Sequence, residues 1–150
     1  MPASADFQQR LESRLDDIVT HFGTPFHVYD EKGIKATCAG LSEAFSGIPG
    51  FKEYFAVKAL PNPAIMKIMH DMGFGFDCSS IAELILSRQL GALGEEIMFT
   101  SANTSRQEFL QAAADGGCVL NLDDISFVDK APEIPELICF RYNPGSRRTG

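Results

Sequence analysis

A regular alternation of short apolar runs with amphipathic segments constrains the fold of this chain more than any other feature. Six runs are typical of β-strands, at residues 26–29, 54–57, 74–76, 97–100, 118–120 and 137–142. From the second run onward they begin roughly every 20 residues, which is the spacing of a strand–helix unit. The runs are apolar on both faces, as strands of a parallel sheet are. The pattern therefore predicts an α/β fold built on a parallel sheet.

The segments between these runs carry helix signals. An N-cap followed by proline stands at 62–63, and capping-box pairs stand at Ser80-x-x-Glu83 and Ser105-x-x-Glu108. Upstream, apolar residues recur at helical spacing from Phe7 to Phe22 and predict one amphipathic helix that ends near Gly23. We therefore divide the chain into residues 1–24, an N-terminal helix and lead-in, and residues 25–150, the strand–helix repeat.

Repeated strand–helix units leave two architectures open, a doubly wound open sheet and a closed (β/α)8 barrel. No G-x-G-x-x-G follows the first apolar run, so the dinucleotide-binding fold loses its best support. The last run leads directly into RYNPGSRRTG without a returning helix. We therefore expect the chain to be the front part of a longer barrel, incomplete as it stands, and residues 1–150 alone to be inactive.

Charge and cysteine usage exclude several classes of function. The formal net charge of −7 argues against nucleic acid or an anionic membrane as the main partner. The N-terminal residues carry acids and no unbroken apolar run, so we expect neither a signal peptide nor a membrane span. The four cysteines form no C-x-x-C and have no histidine cluster beside them, which argues against a metal site. Reduced thiols in a cytoplasmic protein are the expectation.

Lys58 is the first candidate for chemistry. It follows the apolar run 54–57, so we expect it at the carboxyl end of a strand, where catalytic groups of such barrels lie. A neutral amine at that place can attack an aldehyde and form a Schiff base. Spacing alone favours the alternative, a lysine that extends into solvent, because strand-end lysines are common.

Two further candidates are expected on the same rim. Asp77 ends the next apolar run, one strand–helix unit after Lys58, but taken by itself it is better explained as the cap of the following helix. Arg141 lies in the last run among apolar neighbours, where it either pairs with an acidic group or stands exposed at the rim. Glu83 is explained by its capping box.

The run YFAVKALPNPAIMKIMHDMGFGFDCSSIAEL resembles the pyridoxal-phosphate-dependent decarboxylases that include diaminopimelate, ornithine and arginine decarboxylases. FAVKA is similar to the family's aromatic strand ending in lysine, and GFGFDCSSIAEL to the segment one unit later. TPFHVYD and ICFRYNPG extend the resemblance over nearly all of the chain after the first helix, and within the family they are most similar to diaminopimelate decarboxylase. One departure is Lys58-Ala59-Leu60, where many members have Lys-Ala-Asn.

The resemblance implies a fold-type III enzyme, like alanine racemase, in which an eight-stranded α/β barrel precedes a β-rich domain and two subunits form a homodimer. It implies pyridoxal 5'-phosphate as cofactor, with Lys58 as the Schiff-base lysine and with Asp77 and Arg141 in the cofactor pocket. It places the ring-stacking histidine, the phosphate loop and the partner-chain residues beyond Gly150.

The reaction that the resemblance implies is the decarboxylation of a small amino-acid substrate. The first expectation is conversion of meso-diaminopimelate to L-lysine and carbon dioxide, a step of lysine biosynthesis. Three alternatives stay open: an ornithine- or arginine-type decarboxylase of polyamine synthesis, a barrel racemase that uses the same cofactor, and a non-catalytic regulator with the decarboxylase fold. The presence of Lys58 argues against the regulator.

Overall fold

The computed structural model describes residues 3–101, 103–114 and 116–142, and the chain divides into two compact units, Met1–Ala44 and Phe45–Gly150. Residues 143–150 lie outside the described residues. The end of the RYNPG motif falls there, and so does the expectation that no helix follows the last strand. Within the described residues, no helix has both the length and the apolar character that crossing a membrane requires.

The first unit is helical, with α1 at Ala5–Glu12, α2 at Leu15–Phe22 and α3 at Glu31–Ala44. The prediction of one helix from residue 7 to residue 22 is therefore wrong. The Ser13 hydroxyl donates to the carbonyl of Arg10 at 2.9 Å, and a turn at 13–14 separates α1 from α2. Serine side chains compete with the backbone for such hydrogen bonds, which is why they favour helix ends over helix interiors.

The predicted first strand at 26–29 is also wrong, because these residues pair with no strand of the described sheet. A strand needs a neighbour to satisfy its backbone groups, and local alternation of apolar residues does not reveal whether one is present. Helix α3 follows directly, and the carboxylate of Asp30 just before it accepts two hydrogen bonds from Arg10, at 2.9 and 3.0 Å.

The second unit contains a five-stranded sheet in which all neighbouring strands are parallel and follow one another in chain order. The strands are β1 at Tyr54–Ala56, β2 at Gly75–Cys78, β3 at Gly94–Ser101, β4 at Cys118–Leu122 and β5 at Ile138–Phe140. The last five predicted strands are thus confirmed, with shifted ends.

Three helices connect the first four strands: α4 at Pro63–Asp71, α5 at Ile81–Gln89 and α6 at Arg106–Ala113. Their predicted start signals are confirmed. The Asn62 side chain accepts hydrogen bonds from two backbone N–H groups of α4, and Ser105 and Glu108 form a complete capping box on α6. On α5, Ser80 caps the N–H of Glu83, whose carboxylate accepts from the N–H of Ser79.

The two faces of the sheet differ. Side chains from alternate strand positions pack with α4, α5 and α6 in one buried cluster, which includes Phe76, Ile97, Phe99, Leu120 and Leu122. The opposite face carries Asp77, Thr100 and Asn121 near the carboxyl ends of the strands. A doubly wound sheet reverses its strand order and has helices on both faces, whereas a barrel does neither. The arrangement is that of the N-terminal part of a (β/α)8 barrel, as expected.

The close packing of the first three strands requires a glycine at position 75. A side-chain carbon at Gly75 would stand 2.7 Å from the carbonyl oxygen of Glu96 and 2.7 Å from the ring of Tyr54. The Tyr54 hydroxyl reaches across to donate to the Glu95 carbonyl at 2.7 Å. Tyr54 is the register partner of Gly75, and two positions later Ala56 stands beside Asp77. This contact therefore helps to align the strand ends that carry the candidate site.

Candidate active site

Lys58 lies directly beyond β1, in a single 3-10 turn at Val57–Ala59. Val57 is fully buried in the core cluster, and the Leu60 N–H closes the turn on the Val57 carbonyl at 3.1 Å. Lys58, which directly follows Val57, is exposed. The chain thus anchors the strand end in the core and leaves an accessible amine at the carboxyl edge of the sheet.

Asp77 occupies the neighbouring strand on the same edge. It is the register partner of Ala56, two positions before Lys58, and its carboxylate accepts a hydrogen bond from the Thr100 hydroxyl. Helix α5 is capped by Ser80, so the alternative role of Asp77 as a helix cap is wrong. Among the described residues, no ion pair joins Asp77 to Lys58.

Thr100 and Asn121 continue the polar row across β3 and β4. The two residues are register partners, and the Asn121 amide nitrogen lies 3.4 Å from the Thr100 hydroxyl oxygen. Thr100 is only 7% exposed. A carboxylate, a hydroxyl and an amide from three adjacent strands are thereby connected along the rim.

Arg141 lies just after β5, and its backbone N–H still donates to the Leu122 carbonyl at 2.8 Å. Its side chain is 47% exposed, and its Nε stands 2.6 Å from Oδ1 of Asp123. The hydrogen bond to Asp123 is the main cause that raises the pKa of Arg141, and the charge of Asp77 adds a smaller contribution in the same direction. Arg141 is therefore both a rim residue and an ion-paired one, with Asp123 as its partner.

Sequence reasoning missed Thr100, Asn121 and Asp123. Each interrupts or follows an apolar strand at a position that alternation places on the face opposite the core. A single polar residue in a buried strand was the available signal, because such a group needs a partner. Its partner stands on another strand, and only the register reveals which one.

The buried thiols of Cys78 and Cys118 belong to the apolar core and not to the rim. All four cysteines are free, and Cys38, Cys78 and Cys118 are buried. Burial raises the pKa of the Cys78 thiol to about 12 and that of Cys118 to about 11, which keeps both protonated and unreactive at neutral pH. In the described part of the chain, no group of histidine, cysteine and acidic side chains has the arrangement of a metal site.

The chemistry of the rim fits the aldehyde end of pyridoxal phosphate. An exposed primary amine at a strand end can bind an aldehyde, and Asp77 lies on the neighbouring strand, in register with the residue two positions before Lys58. Barrel enzymes assemble their sites at this carboxyl edge.

Comparison with known proteins agrees with this arrangement. The family model described as "Pyridoxal-dependent decarboxylase, pyridoxal binding domain" matches residues 32–139. Protein TabA of Pseudomonas amygdali pv. tabaci is 43% identical over 144 residues, which are 96% of this chain and 34% of that protein. The diaminopimelate decarboxylase of Methanothermobacter thermautotrophicus is 36% identical over 132 residues, covering 85% of this chain and 31% of that one.

A solved structure gives the same result. The diaminopimelate decarboxylase of Helicobacter pylori, complexed with L-lysine, matches with a TM-score of 0.69 and 27% identity, covering 78% of this chain and 29% of that one. The chain spans about a third of the length of the curated relatives it matches. The described sheet, its rim and the matched residues 32–139 thus lead to one conclusion: this chain belongs to the family of pyridoxal-dependent decarboxylases.

Proposed function

We propose that the protein carrying this chain is a pyridoxal-phosphate-dependent amino-acid decarboxylase whose first substrate candidate is meso-diaminopimelate, giving L-lysine and carbon dioxide. The observation that carries the proposal is the exposed amine of Lys58 at the carboxyl edge of β1, on the same rim as Asp77 and Arg141. Residues 25–150 then form the first part of the cofactor-binding barrel. The homodimer, the β-rich second domain and the cytoplasmic location belong to the same proposal.

The roles proposed for the rim residues follow from their chemistry. Lys58 would hold the aldehyde end of the cofactor through its amine, and the same amine, when free, could carry a proton. Asp77 and Arg141 set the charge around that amine and orient the cofactor. Pyridoxal phosphate, when bound, supplies the electron-accepting ring that makes loss of carbon dioxide possible.

The substrate is a separate question from the reaction class. Relatives named diaminopimelate decarboxylase are 26–36% identical to this chain, and they support meso-diaminopimelate. The relative at 43% identity is named only Protein TabA, and the Lys58-Ala59-Leu60 departure concerns the residues beside the reactive amine. Ornithine and arginine are therefore tested alongside meso-diaminopimelate, and a racemase is tested through loss of chirality without loss of carbon dioxide.

The deciding experiment uses the complete protein that contains this chain. Borohydride reduction of the protein loaded with pyridoxal phosphate, followed by peptide mapping, should place the pyridoxyl group on Lys58. Release of carbon dioxide is then measured with meso-diaminopimelate, L-ornithine, L-arginine and L-lysine at equal concentration. Fast turnover of meso-diaminopimelate would support it as the substrate. Faster turnover of another of these amino acids would make that compound the substrate instead. Label on a different lysine, such as Lys52, contradicts the site itself.

A further inference from the structure

We infer that Thr100 and Asn121 are positioning residues that hold the Asp77 carboxylate in place at the rim. The inference rests on the proposed function only in so far as Asp77 acts on the cofactor. Neither residue belongs to the sequence motifs that identify the family in this chain. Both were brought to the site by the strand register, since Thr100 and Asn121 are partners on β3 and β4.

The direction of the hydrogen bonds follows from the chemistry of the groups. The Asn121 amide nitrogen only donates, so the Thr100 oxygen accepts from it at 3.4 Å. The single hydroxyl proton of Thr100 is then available for the Asp77 carboxylate, which accepts it on Oδ1. The three groups therefore form an ordered row, in which Asn121 orients Thr100 and Thr100 orients Asp77.

Burial makes this row different from an ordinary surface contact. Thr100 is 7% exposed, and both Asp77 and Asn121 are half-buried. A hydroxyl that is almost withdrawn from water depends on protein partners, and Thr100 has one on each side. The hydrogen bond from Thr100, which Asn121 holds in turn, restricts the orientation of the Asp77 carboxylate.

The restriction leaves part of Asp77 available. Among the described residues, hydrogen bonds reach only Oδ1 of this carboxylate, and none reaches Oδ2. The charge of Asp77 also makes a small contribution to raising the pKa of Arg141. A carboxylate held through one oxygen keeps the other available for a ligand, and its fixed position helps to orient that ligand.

The test uses the complete protein and a matched set of variants. Thr100→Val keeps the shape and removes the hydroxyl, Thr100→Ser keeps the hydroxyl, and Asn121→Leu removes the amide donor. Ser87→Ala is the control, because it deletes another buried hydroxyl, which bonds the Glu83 carbonyl at 2.9 Å within the helix layer. For each variant we measure the dissociation constant of pyridoxal phosphate from the apo protein, and kcat and KM separately.

Thr100→Val should weaken cofactor binding or lower kcat by roughly 10- to 100-fold, the range for losing a hydrogen bond to a charged group, with little change in KM. Thr100→Ser should restore most of this loss, Asn121→Leu should show a smaller loss, and Ser87→Ala should change stability alone. In an Asp77→Ala background, Thr100→Val should have no further effect, because the group on which it acts is gone.

Several results would overturn the inference. One is that Thr100→Val changes cofactor binding or kcat equally with and without Asp77. The others are that Thr100→Ser does not restore function, or that Thr100→Val behaves like the wild type. Should Thr100→Val not fold, the same comparison is made with Asn121→Leu in the two backgrounds. A wild-type protein that carries no pyridoxyl group on Lys58 refutes the proposed function instead, so the two failures are distinguishable.

Discussion

The two faces of the five-stranded sheet are made from the same strands but are built on different physical principles. On the helix-covered face, Phe76, Phe99 and Leu122 are fully buried among apolar side chains. On the opposite face, Asp77, Thr100 and Asn121 satisfy one another through hydrogen bonds at the strand ends. The apolar face fixes where each strand lies, and the rim residues take their positions from it. Substitutions on the two faces should therefore separate stability from function.

Lys58→Ala gives the largest expected effect and defines the rim side of the comparison. The pyridoxyl label after borohydride reduction should disappear, and turnover should fall by at least the roughly 100- to 10,000-fold typical of a group that transfers a proton in the reaction. Because Lys58 is exposed, the free energy of unfolding should change by less than about 0.5 kcal/mol. Urea unfolding and peptide mapping check the two parts. Retained turnover in this variant would remove Lys58 from the chemistry.

Phe99→Ala is the matching change on the helix-covered face. Phe99 is fully buried, and its ring meets that of Phe109 edge-on at a centroid distance of 6.4 Å. We expect unfolding to become easier by about 3–5 kcal/mol, as for other buried phenylalanines. The fraction of folded molecules that carry the Lys58 label should not change. Phe99→Leu, which fills more of the space, should cost less. A loss of labelling in fully folded Phe99→Ala would show that the two faces are not independent.

Features with local signals could be predicted from the sequence, whereas features that depend on a distant partner could not. Helix caps such as Asn62 and Ser105, and the five strands of the sheet, were predictable because their signals lie within a few neighbouring residues. The missing pairing of residues 26–29 was not predictable, because it depends on a partner strand. The break at Ser13 depends on a hydrogen bond that competes with the helix.

The site shows the same limit. Spacing alone placed Lys58 and Asp77 at strand ends but left each with an ordinary structural alternative, and the family resemblance supplied their proposed roles. Thr100 and Asn121 were found only when the register of β3 and β4 brought them together. Polar contacts between strands depend on the strand register, and the register is set by packing of the opposite, apolar face. A local sequence pattern does not contain this information.

The buried thiol of Cys78 provides a smaller test of the helix-covered face. Its pKa is raised to about 12 mainly by burial, whereas an exposed cysteine titrates near 8.5. Above pH 8.5 the unfolded chain therefore loses this proton first, and the free energy of unfolding should fall by up to about 1.4 kcal/mol per pH unit. The slope is measured by urea unfolding between pH 8 and about pH 10.

Cys78→Ala is the control for this slope, since it removes the titrating group. Its absolute stability will be lower because a buried side chain is shortened, so the comparison concerns only the change with pH. A smaller slope in Cys78→Ala than in the wild type confirms that the thiol is held in the core as described. Equal slopes would mean that other groups cause the alkaline loss.

Ser105→Ala gives the smallest expected effect and marks the limit of the comparison, because not every polar group near the rim takes part in chemistry. Ser105 starts α6 just after β3, so it lies toward the carboxyl edge of the sheet, yet its hydroxyl and N–H are both committed to Glu108. Ser105→Ala should cost about 1 kcal/mol of stability and leave labelling of Lys58 unchanged.

The cost of Ser105→Ala should depend on pH. Hydrogen bonds from Ser105 lower the pKa of Glu108, so the stability that they contribute is complete above pH 4.5 and is lost as the pH falls through the lowered value. The cost of Ser105→Ala should therefore shrink in acid, while Ser105→Thr, which keeps the hydroxyl, should resemble the wild type at every pH. A change in turnover per folded molecule would place Ser105 among the functional residues and move the boundary between the two kinds of polar group.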